Sequence, residues 1–502
     1  MGSEMCIRDR SRSCPPRAEN GAKTRLAERG VRSIRETSGV TTLRELLATT
    51  ASIAADHREG AAERPVFPTT ADLAAVASAL GALRDSPMDA ADVIAELVAA
   101  VEPALVATSG SRYFGFVVGG ALDAATAADV LTTAWDQPAF NAVTSPGAAV
   151  VEEVTGQWLK ELLGLPAHAS FGFTTGGQGA NTISLAAARH HVLARAGWDV
   201  EQDGLIGAPR VRVVATGQRH ATIDRALRLL GFGAGSLEPV ATDAQGAIDV
   251  ADLGRVLASA AAGPTIVCLQ AGNVNTGAFD DLAAATAIAH EHGAWVHVDG
   301  AFGLWAAASP ALRHLVAGIE TADSWGTDGH KWLNVPYDSG YAFCAHPDAH
   351  AAAMSYTAAY LTAPSPAAGF GQRAPGDFVF ESSRRARGFA TWAALRELGR
   401  VGVADLVDRC CGLARRFAEQ LAATDGATVE NDVVLNQVLV GFGSDEQTDL
   451  VIAAVQQSGE CWMGATTWHG RRLMRISVSS WRTTDDDVDR SVAAIRAALS
   501  SR

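Results

Sequence analysis

Three short stretches carry side chains whose types and spacing suit chemistry. The first is TTGGQGAN, Thr174–Asn181, which follows the apolar run SFGF and opens a helical pattern. Gly176, Gly177 and Gln178 thus stand at a strand-to-helix junction. Glycines there let backbone N–H groups approach an anion, and the helix dipole favours negative charge. No Lys-Ser/Thr follows and the G-x-G-x-x-G spacing is missing, which excludes a P-loop and a dinucleotide fingerprint. A plain strand-to-helix turn has the same appearance. The second stretch is HVDGAFG, His297–Gly303, where Asp299 ends an apolar run. Its carboxylate either caps the next turn or meets a cationic ligand group. Gly300 and Ala301 leave room for something flat to lie close. The third is GTDGHKWLN, Gly326–Asn334, with Lys331 between His330 and Trp332.

Lys331 is unusual for its type. The chain has three lysines, Lys23, Lys160 and Lys331, among 41 Lys and Arg residues. A lone lysine is ordinarily a solvated charge, but here its neighbours are aromatic or apolar and the chain otherwise prefers arginine. Arginine replaces lysine as a charge, not as a nucleophilic amine. Neither Lys23 nor Lys160 has a comparable setting in the sequence. An anion nest, a carboxylate and an amine together suit a ligand with a phosphate, a protonatable ring nitrogen and an aldehyde. Pyridoxal 5′-phosphate is such a ligand.

The elements that must position these groups can be read coarsely. From Thr41 the pattern is helical, with Thr70 or Asp72 as the cap of a helix after Pro68, and helical signals continue to about Leu163. From about Ser170 short apolar runs, 211–217, 264–272 and 294–301, alternate with helical stretches at 180–196, 223–231 and 280–293. That alternation predicts a mostly parallel sheet flanked by helices, with ligands at the strands' C-terminal ends. The 355–380 segment, with Pro364, Pro366, Pro375, Gly369, Gly371 and Gly376, reads as a long loop. A helix is expected from near Arg385, followed by strands in VVLNQVLVGF and RLMRISVSS of a smaller domain. The domain expectation is therefore a tail over 1–40, a helical section over 41–163, a large α/β domain over 164–384 and a small α+β domain over 385–502.

The totals set bounds. With 502 residues, 48% hydrophobic and 19% charged, the chain is an ordinary globular mix of two or three domains. A net charge of −14 disfavours nucleic acid and anionic membranes as partners, and no apolar run reaches the length of a membrane span. The seven cysteines are scattered without a CxxC pair, which argues against a zinc site or other metal centre and suits reduced thiols in a cytoplasm. The tail carries nine basic and five acidic residues and no apolar core, so it does not read as a signal peptide; EMCIRD, Glu4–Asp9, also resembles translated library adaptor.

At the three motifs the sequence resembles the group II pyridoxal-phosphate-dependent amino-acid decarboxylases, from about Phe67 to Ala498. This family of the aspartate-aminotransferase fold (fold type I) includes the aromatic-L-amino-acid, glutamate and histidine decarboxylases. The resemblance implies that Lys331 forms the Schiff base with the cofactor and that Asp299 pairs with the ring nitrogen. It places Ala301 on one ring face and His220, in GQRHATIDRAL, on the other as a stacking group and catalytic acid, where the residue taken alone reads as a helix-start or surface histidine. It places Gly177 and Gln178 where the family's loop grips the phosphate, with Gly176 beside them in the cofactor site, and gives His330 the placing of the phosphate or of the lysine. Arg475, on a C-terminal strand, becomes a candidate for the substrate carboxylate, against structural pairing within the small domain. Phe114, in RYFGFVVGG, becomes a candidate substrate contact, against core packing. The implied activity is decarboxylation of an L-amino acid to an amine and CO2 by a homodimer.

Two departures from the family pattern bear on the reaction. The family's mobile loop carries a tyrosine before the RR helix; here no tyrosine lies between Leu361 and Arg385, and Pro375 stands near the expected place. Tyr356 or Tyr360 could serve only with a different loop fold. Loss of this tyrosine is linked in relatives to aldehyde formation. Gln270 stands where the family commonly has threonine. Aldehyde-forming decarboxylation, aminotransfer or carbon–carbon lysis is therefore the alternative, and a non-catalytic cofactor-binding relative the third.

Overall fold

The computed structural model describes residues 41–259, 263–356 and 373–501. The expected tail over 1–40 and Tyr360 lie outside them. Contacts divide the described chain into two compact units, one of residues up to Gly60 with Pro68–Leu105, the other of Ala61–Phe67 with Val106 onward.

The first unit holds the helices Leu43–Glu59, Thr70–Leu80 and Ala90–Val101. Thr42 and Glu45 form a capping box on the first of them. The cap of the second is Thr69, not Thr70 or Asp72. Thr69 stays extended, its hydroxyl accepts from Asp72 N, and the Asp72 carboxylate accepts from Thr69 N. Asp72 is thus the reciprocal partner one turn in, as the T-x-x-D spacing allows.

The second unit begins with helices Asp123–Trp135 and Pro146–Leu163; the latter ends where the helical signal does, with Gly164 left-handed at φ 69°. A seven-stranded sheet follows: β1 Ser170–Thr174, β2 Arg212–Thr216, β3 Leu237–Val240, β4 Thr265–Gln270, β5 Trp295–Asp299, β6 Ser324–Asp328 and β7 Gly340–Cys344. The order is β1-β7-β6-β5-β4-β2-β3, with β7 antiparallel to its two neighbours and the other pairs parallel. β2, β4 and β5 are the strands expected from the apolar runs. β3, β6 and β7 are additional. SWGTD and GYAFC are short and carry glycine or polar residues, yet every one of their residues is buried, so neither alternation nor a long apolar run announces them.

Helices Gly177–Arg195, Ala221–Leu229, Val250–Ala258 and Leu282–Glu291 connect the strands. Every residue of β1, β4 and β5 is buried, as in a parallel sheet covered on both faces. A second, antiparallel sheet has the order β10-β11-β9-β8, from β8 Thr428–Val429, β9 Gln437–Gly441, β10 Gly464–Trp468 and β11 Arg471–Ser477. β9 and β11 are the two strands expected there. The helix expected near Arg385 runs Gly388–Ala422 and is interrupted at Gly399, whose φ of 61° suits glycine. No helix among the described residues is long and apolar enough to cross a membrane. The five described cysteines are all unpaired and buried, and burial pushes the Cys268, Cys344 and Cys461 thiols up to about 12.

Lys160 has a setting the sequence does not disclose. It is 3% exposed, and its Nζ donates to the carbonyls of Ala167 (2.6 Å) and Ala169 (2.8 Å) just beyond its helix. A compact ammonium satisfies two converging oxygens where a planar guanidinium would not fit the same space. Lys160→Met should destabilise the fold by about 1–3 kcal/mol for each carbonyl left without a donor, read as a lower urea midpoint, and Lys160→Arg should not restore it.

Candidate active site

The turn after β1 is shaped by its own residues. Thr174 Oγ1 bonds the Gly176 peptide on both sides, donating to its carbonyl at 3.0 Å and accepting from its N–H at 3.3 Å. A Cβ at Gly176 would lie 2.9 Å from His330 Cε1, and one at Gly340 would lie 2.5 Å from Gly176 Cα, so backbone and ring pack here without side chains between them. Gly177 opens the Gly177–Arg195 helix, and its N–H donates to Asp328 Oδ1 at 2.5 Å. The nest therefore already holds an anionic oxygen, supplied by the end of β6. Gln178 Nε2 reaches Thr182 Oγ1 and the Thr222 carbonyl, each at 3.2 Å, while its buried Oε1 has no hydrogen-bond partner among the described residues. It braces the nest against the His220 segment.

Asp328, 2% exposed, gathers the amine as well. Lys331 Nζ lies 3.1 Å from Asp328 Oδ2, and His330 Nε2 lies 3.5 Å from Oδ1. His330 Nδ1 accepts from Ser339 N at 3.1 Å, and its ring stacks on Tyr337 with centroids 4.2 Å apart. Burial holds the His330 imidazole below its ordinary value. The lysine's backbone is fixed by Asn334, whose Nδ2 donates to the carbonyls of Lys331 (3.3 Å), Trp332 (2.9 Å) and Ser479 (3.0 Å). Asn334 takes a positive φ of 54° to do so, and its Oδ1 accepts from Trp481 N. A Cβ at Gly119 would overlap the Lys331 carbonyl oxygen, which is why the RYFGFVVGG stretch ends in glycine beside this loop.

Asp299 ends β5, 5% exposed. Its Oδ1 accepts from Ala301 N at 3.2 Å and its Oδ2 from Asn181 Nδ2 at 3.0 Å. The carboxylate thus does contact the next turn, as the capping reading had it. Among the described residues it forms no ion pair, so a buried negative charge faces the site without a cation. Ala301 follows it, and its carbonyl accepts from Asp328 N. His220 is both the cap of the Ala221–Leu229 helix and a member of the site. Its Nδ1 accepts from Thr222 N, burial lowers its pKa, and Asp299, Lys331, Arg475 and Asp328 act on it electrostatically. Lys331, Asp299 and Arg475 thus all act on His220, although the four positions span more than half the chain.

Arg475, on β11, is desolvated, which lowers its pKa. Among the described residues it has no ion pair or side-chain hydrogen bond, so the structural pairing weighed for it is not what holds it. Phe114 is 1% exposed and packs edge-on against Phe417 with centroids 5.0 Å apart, inside the core. Gln270 is buried; its Nε2 donates to the Gln218 carbonyl at 3.1 Å, which tethers the His220 loop. Pro375 is buried at the start of a half-buried turn, Pro375–Phe378, and the Tyr356 hydroxyl is bonded to Ser382 Oγ at 2.7 Å.

A model of the pyridoxal-dependent decarboxylase conserved domain matches residues 81–442, more than half of the chain. The chain belongs to this family. Tryptophan decarboxylase 1 of Oryza sativa subsp. japonica is 27% identical over 414 residues, covering 77% of this chain and 79% of that one. Phenylacetaldehyde synthase of a Rosa hybrid cultivar is 26% identical over 424 residues, covering 77% and 80%. The crystal structure of Oryza sativa TDC with PLP and tryptamine superposes with a TM-score of 0.85 at 22% identity, covering 93% of this chain and 99% of that one, and has the same fold.

The family's cofactor is pyridoxal 5′-phosphate, and the residues present fit it. The Gly177 N–H binds a carboxylate oxygen, Asp299 is a buried carboxylate without an ion pair among the described residues, and Lys331 offers an amine 3.1 Å from Asp328. Asn181, His297, Asp328 and Asn334 also build the site and were not singled out from the sequence. Of these, Asn334 carried a signal, since asparagine tolerates the left-handed backbone a tight loop needs.

Two buried histidines make the fold acid-sensitive. Burial pushes His297 down to about 4 and His350 to about 3. The unfolded chain takes up protons on both below about 6.5, while the folded chain resists until these lower values. Their contribution is complete above about pH 6.5 and is lost as the pH falls through about 4, roughly 3 kcal/mol for His297 alone. The melting temperature should fall steadily across that window; a flat profile would contradict the assignment.

Proposed function

We propose that this chain decarboxylates an L-amino acid to an amine and CO2, with Lys331 holding pyridoxal 5′-phosphate covalently. The observation that carries the proposal is an amine, Lys331 Nζ, set 3.1 Å from Asp328, on the strand next to the one that ends in buried Asp299, in a chain that otherwise uses arginine. When bound, the cofactor supplies a ring that withdraws electrons from the bond broken at the substrate Cα. In this reading Asp299 holds the proton on the ring nitrogen, Ala301 and His220 flank the ring, and Gly176, Gly177, Gln178 and His330 form the phosphate cradle. A proton leaving Lys331 Nζ has Asp328 Oδ2 within reach to receive it. Arg475, desolvated and without a partner among the described residues, would take a substrate carboxylate. The protein selects the reaction by the orientation in which these groups hold the substrate.

Aldehyde formation is the second reading, because no tyrosine lies between Leu361 and Arg385 and Pro375 starts a half-buried turn there. Retention of Lys331 disfavours a non-catalytic role. A homodimer in a cytoplasm completes the proposal. Leu43, Leu47, Leu73 and Val93 of the first unit, and Val130, Trp135 and Val143 of the second, are exposed apolar side chains that suit burial against a second copy. We retain 41–163, 164–384 and 385–502 as the functional division of the chain.

Lys331→Arg keeps a cation for Asp328 but lacks the amine. It should lose all measurable turnover, and borohydride reduction of the parent protein should place the cofactor mass on the Lys331 peptide; a label on Lys160 would overturn the site. Across an L-amino-acid panel, amine and CO2 in equal amounts without oxygen uptake are expected, whereas aldehyde, ammonia and peroxide would establish the second reading. Arg475→Gln should raise KM about ten- to a hundredfold with a smaller change in kcat, and an unchanged KM would return Arg475 to a packing role.

A further inference from the structure

Behind the site a chain of buried side chains ends on Asp299, and its hydrogen positions follow from one fixed point. An ionised carboxylate only accepts, so the Asn181 atom 3.0 Å from Asp299 Oδ2 is the amide nitrogen. The amide oxygen therefore faces His297 Nε2 at 3.0 Å, and Nε2 must carry a proton. His297 is fully buried and burial favours its neutral form, which leaves Nδ1 as an acceptor for Ser324 Oγ at 3.0 Å. The same Oγ accepts the Trp295 indole N–H at 2.9 Å. The second Asn181 N–H reaches Thr222 Oγ1 at 3.0 Å, and Thr222 Oγ1 lies 2.9 Å from His220 Nδ1. Gly326 on β6 makes room: a Cβ there would lie 2.7 Å from Asn181 Oδ1.

We propose that Asn181 is a positioning residue that fixes the Asp299 carboxylate and joins it to His220, and that the neutral His297–Ser324–Trp295 chain keeps the Asn181 amide from turning over. An inverted amide would set oxygen against the Asp299 carboxylate, and would force the His297 proton to Nδ1, where the Ser324 hydroxyl loses its acceptor, so one arrangement satisfies every group in the chain. This rests on the proposed pairing of Asp299 with the cofactor ring.

The titratable groups around position 181 are Asp299 and His297 on β5, Cys268 on the adjacent β4, whose thiol is pushed up to about 12, and His220 through Thr222. Asp328, Lys331 and Arg475 act on His220 from the loop after β6 and from β11. Replacing Asn181 by aspartate therefore sets two carboxylates side by side, and one must take up a proton. Once protonated, the introduced carboxyl donates to Asp299 and accepts from His297, as the amide does.

The test measures pyridoxal phosphate affinity of the full-length cofactor-free chain by equilibrium titration, with thermal melting as the check on folding. Asn181→Leu should bind about ten- to a hundredfold more weakly, the range for loss of a hydrogen bond to a charged group. Asn181→Asp should bind as weakly near pH 8 and recover toward the parent affinity by about pH 6, while the parent shows no such gain. A space-filling role gives no recovery on acidification, and that result, or parent-like affinity in Asn181→Leu, would overturn the proposal. Loss of fold in both variants at every pH would overturn it too, by making Asn181 a core residue. Asp299→Asn separates the two claims: if it binds like the parent, the Asp299 pairing fails and the inference with it; if it binds weakly while Asn181→Asp shows no recovery on acidification, the inference alone fails.

Discussion

Two carboxylates buried at the carboxyl edge of one sheet set the terms for what surrounds them. Asp299 ends β5 and Asp328 ends β6, on neighbouring parallel strands. Ionised groups so placed are tolerable only where donors meet them. Asp328 is met by the Gly177 N–H and by Lys331, which draws the helix N-terminus, the amine and the end of β6 to one point. Asp299 is met by an amide and a backbone N–H and by no cation among the described residues. One carboxylate thus assembles the site, and the other keeps no ion pair among the described residues, which is what the proposed pairing with a cationic ring requires. Glycines at 176, 177 and 326 follow from this crowding, since side chains there would displace the groups that neutralise or orient the two acids.

What could be read from the sequence is what chemistry makes irreplaceable. A lysine kept against an arginine bias, an aspartate closing an apolar run and a glycine turn opening a helix each announce themselves by residue type. Three of the parallel strands were legible for the same reason, as apolar runs bounded by turns. Asp328, Asn181 and His297 were not, because their roles exist only across strands: Asn181 meets Asp299 from 118 positions away and Gly177 meets Asp328 from 151. No local pattern distinguishes such an amide from one on a surface. β6 and β7 escaped similarly, since burial by neighbours on both sides, and not their own composition, makes them strands.

The lysine argument is narrowed by Lys160. Scarcity alone does not identify a nucleophile, for Lys160 is also retained and also buried, yet its ammonium donates to two carbonyl oxygens. What separates the two is the partner. Lys160 is satisfied by neutral acceptors that leave it nothing to react with, whereas Lys331 faces a carboxylate able to receive its proton. An amine becomes a candidate nucleophile when its surroundings can both hold it and release it.

The same distinction locates where the reaction's outcome is decided. The groups assigned to the cofactor are drawn from strand ends and helix starts, fixed by buried hydrogen bonds, and would serve several reactions equally well. In the proposed reading proton supply at the substrate Cα is different, because the family's loop tyrosine has no counterpart between Leu361 and Arg385. In the described part of the 355–384 region the backbone after Ala374 is committed to a half-buried turn at Pro375, and the Tyr356 hydroxyl is already engaged by Ser382. A site whose charge-matching residues are preorganised, and whose proton donor is set by a separate segment, can change its product by a change in that segment alone. That a decarboxylase and an aldehyde synthase both stand among this chain's relatives, at 27% and 26% identity, fits such a division of labour between frame and loop.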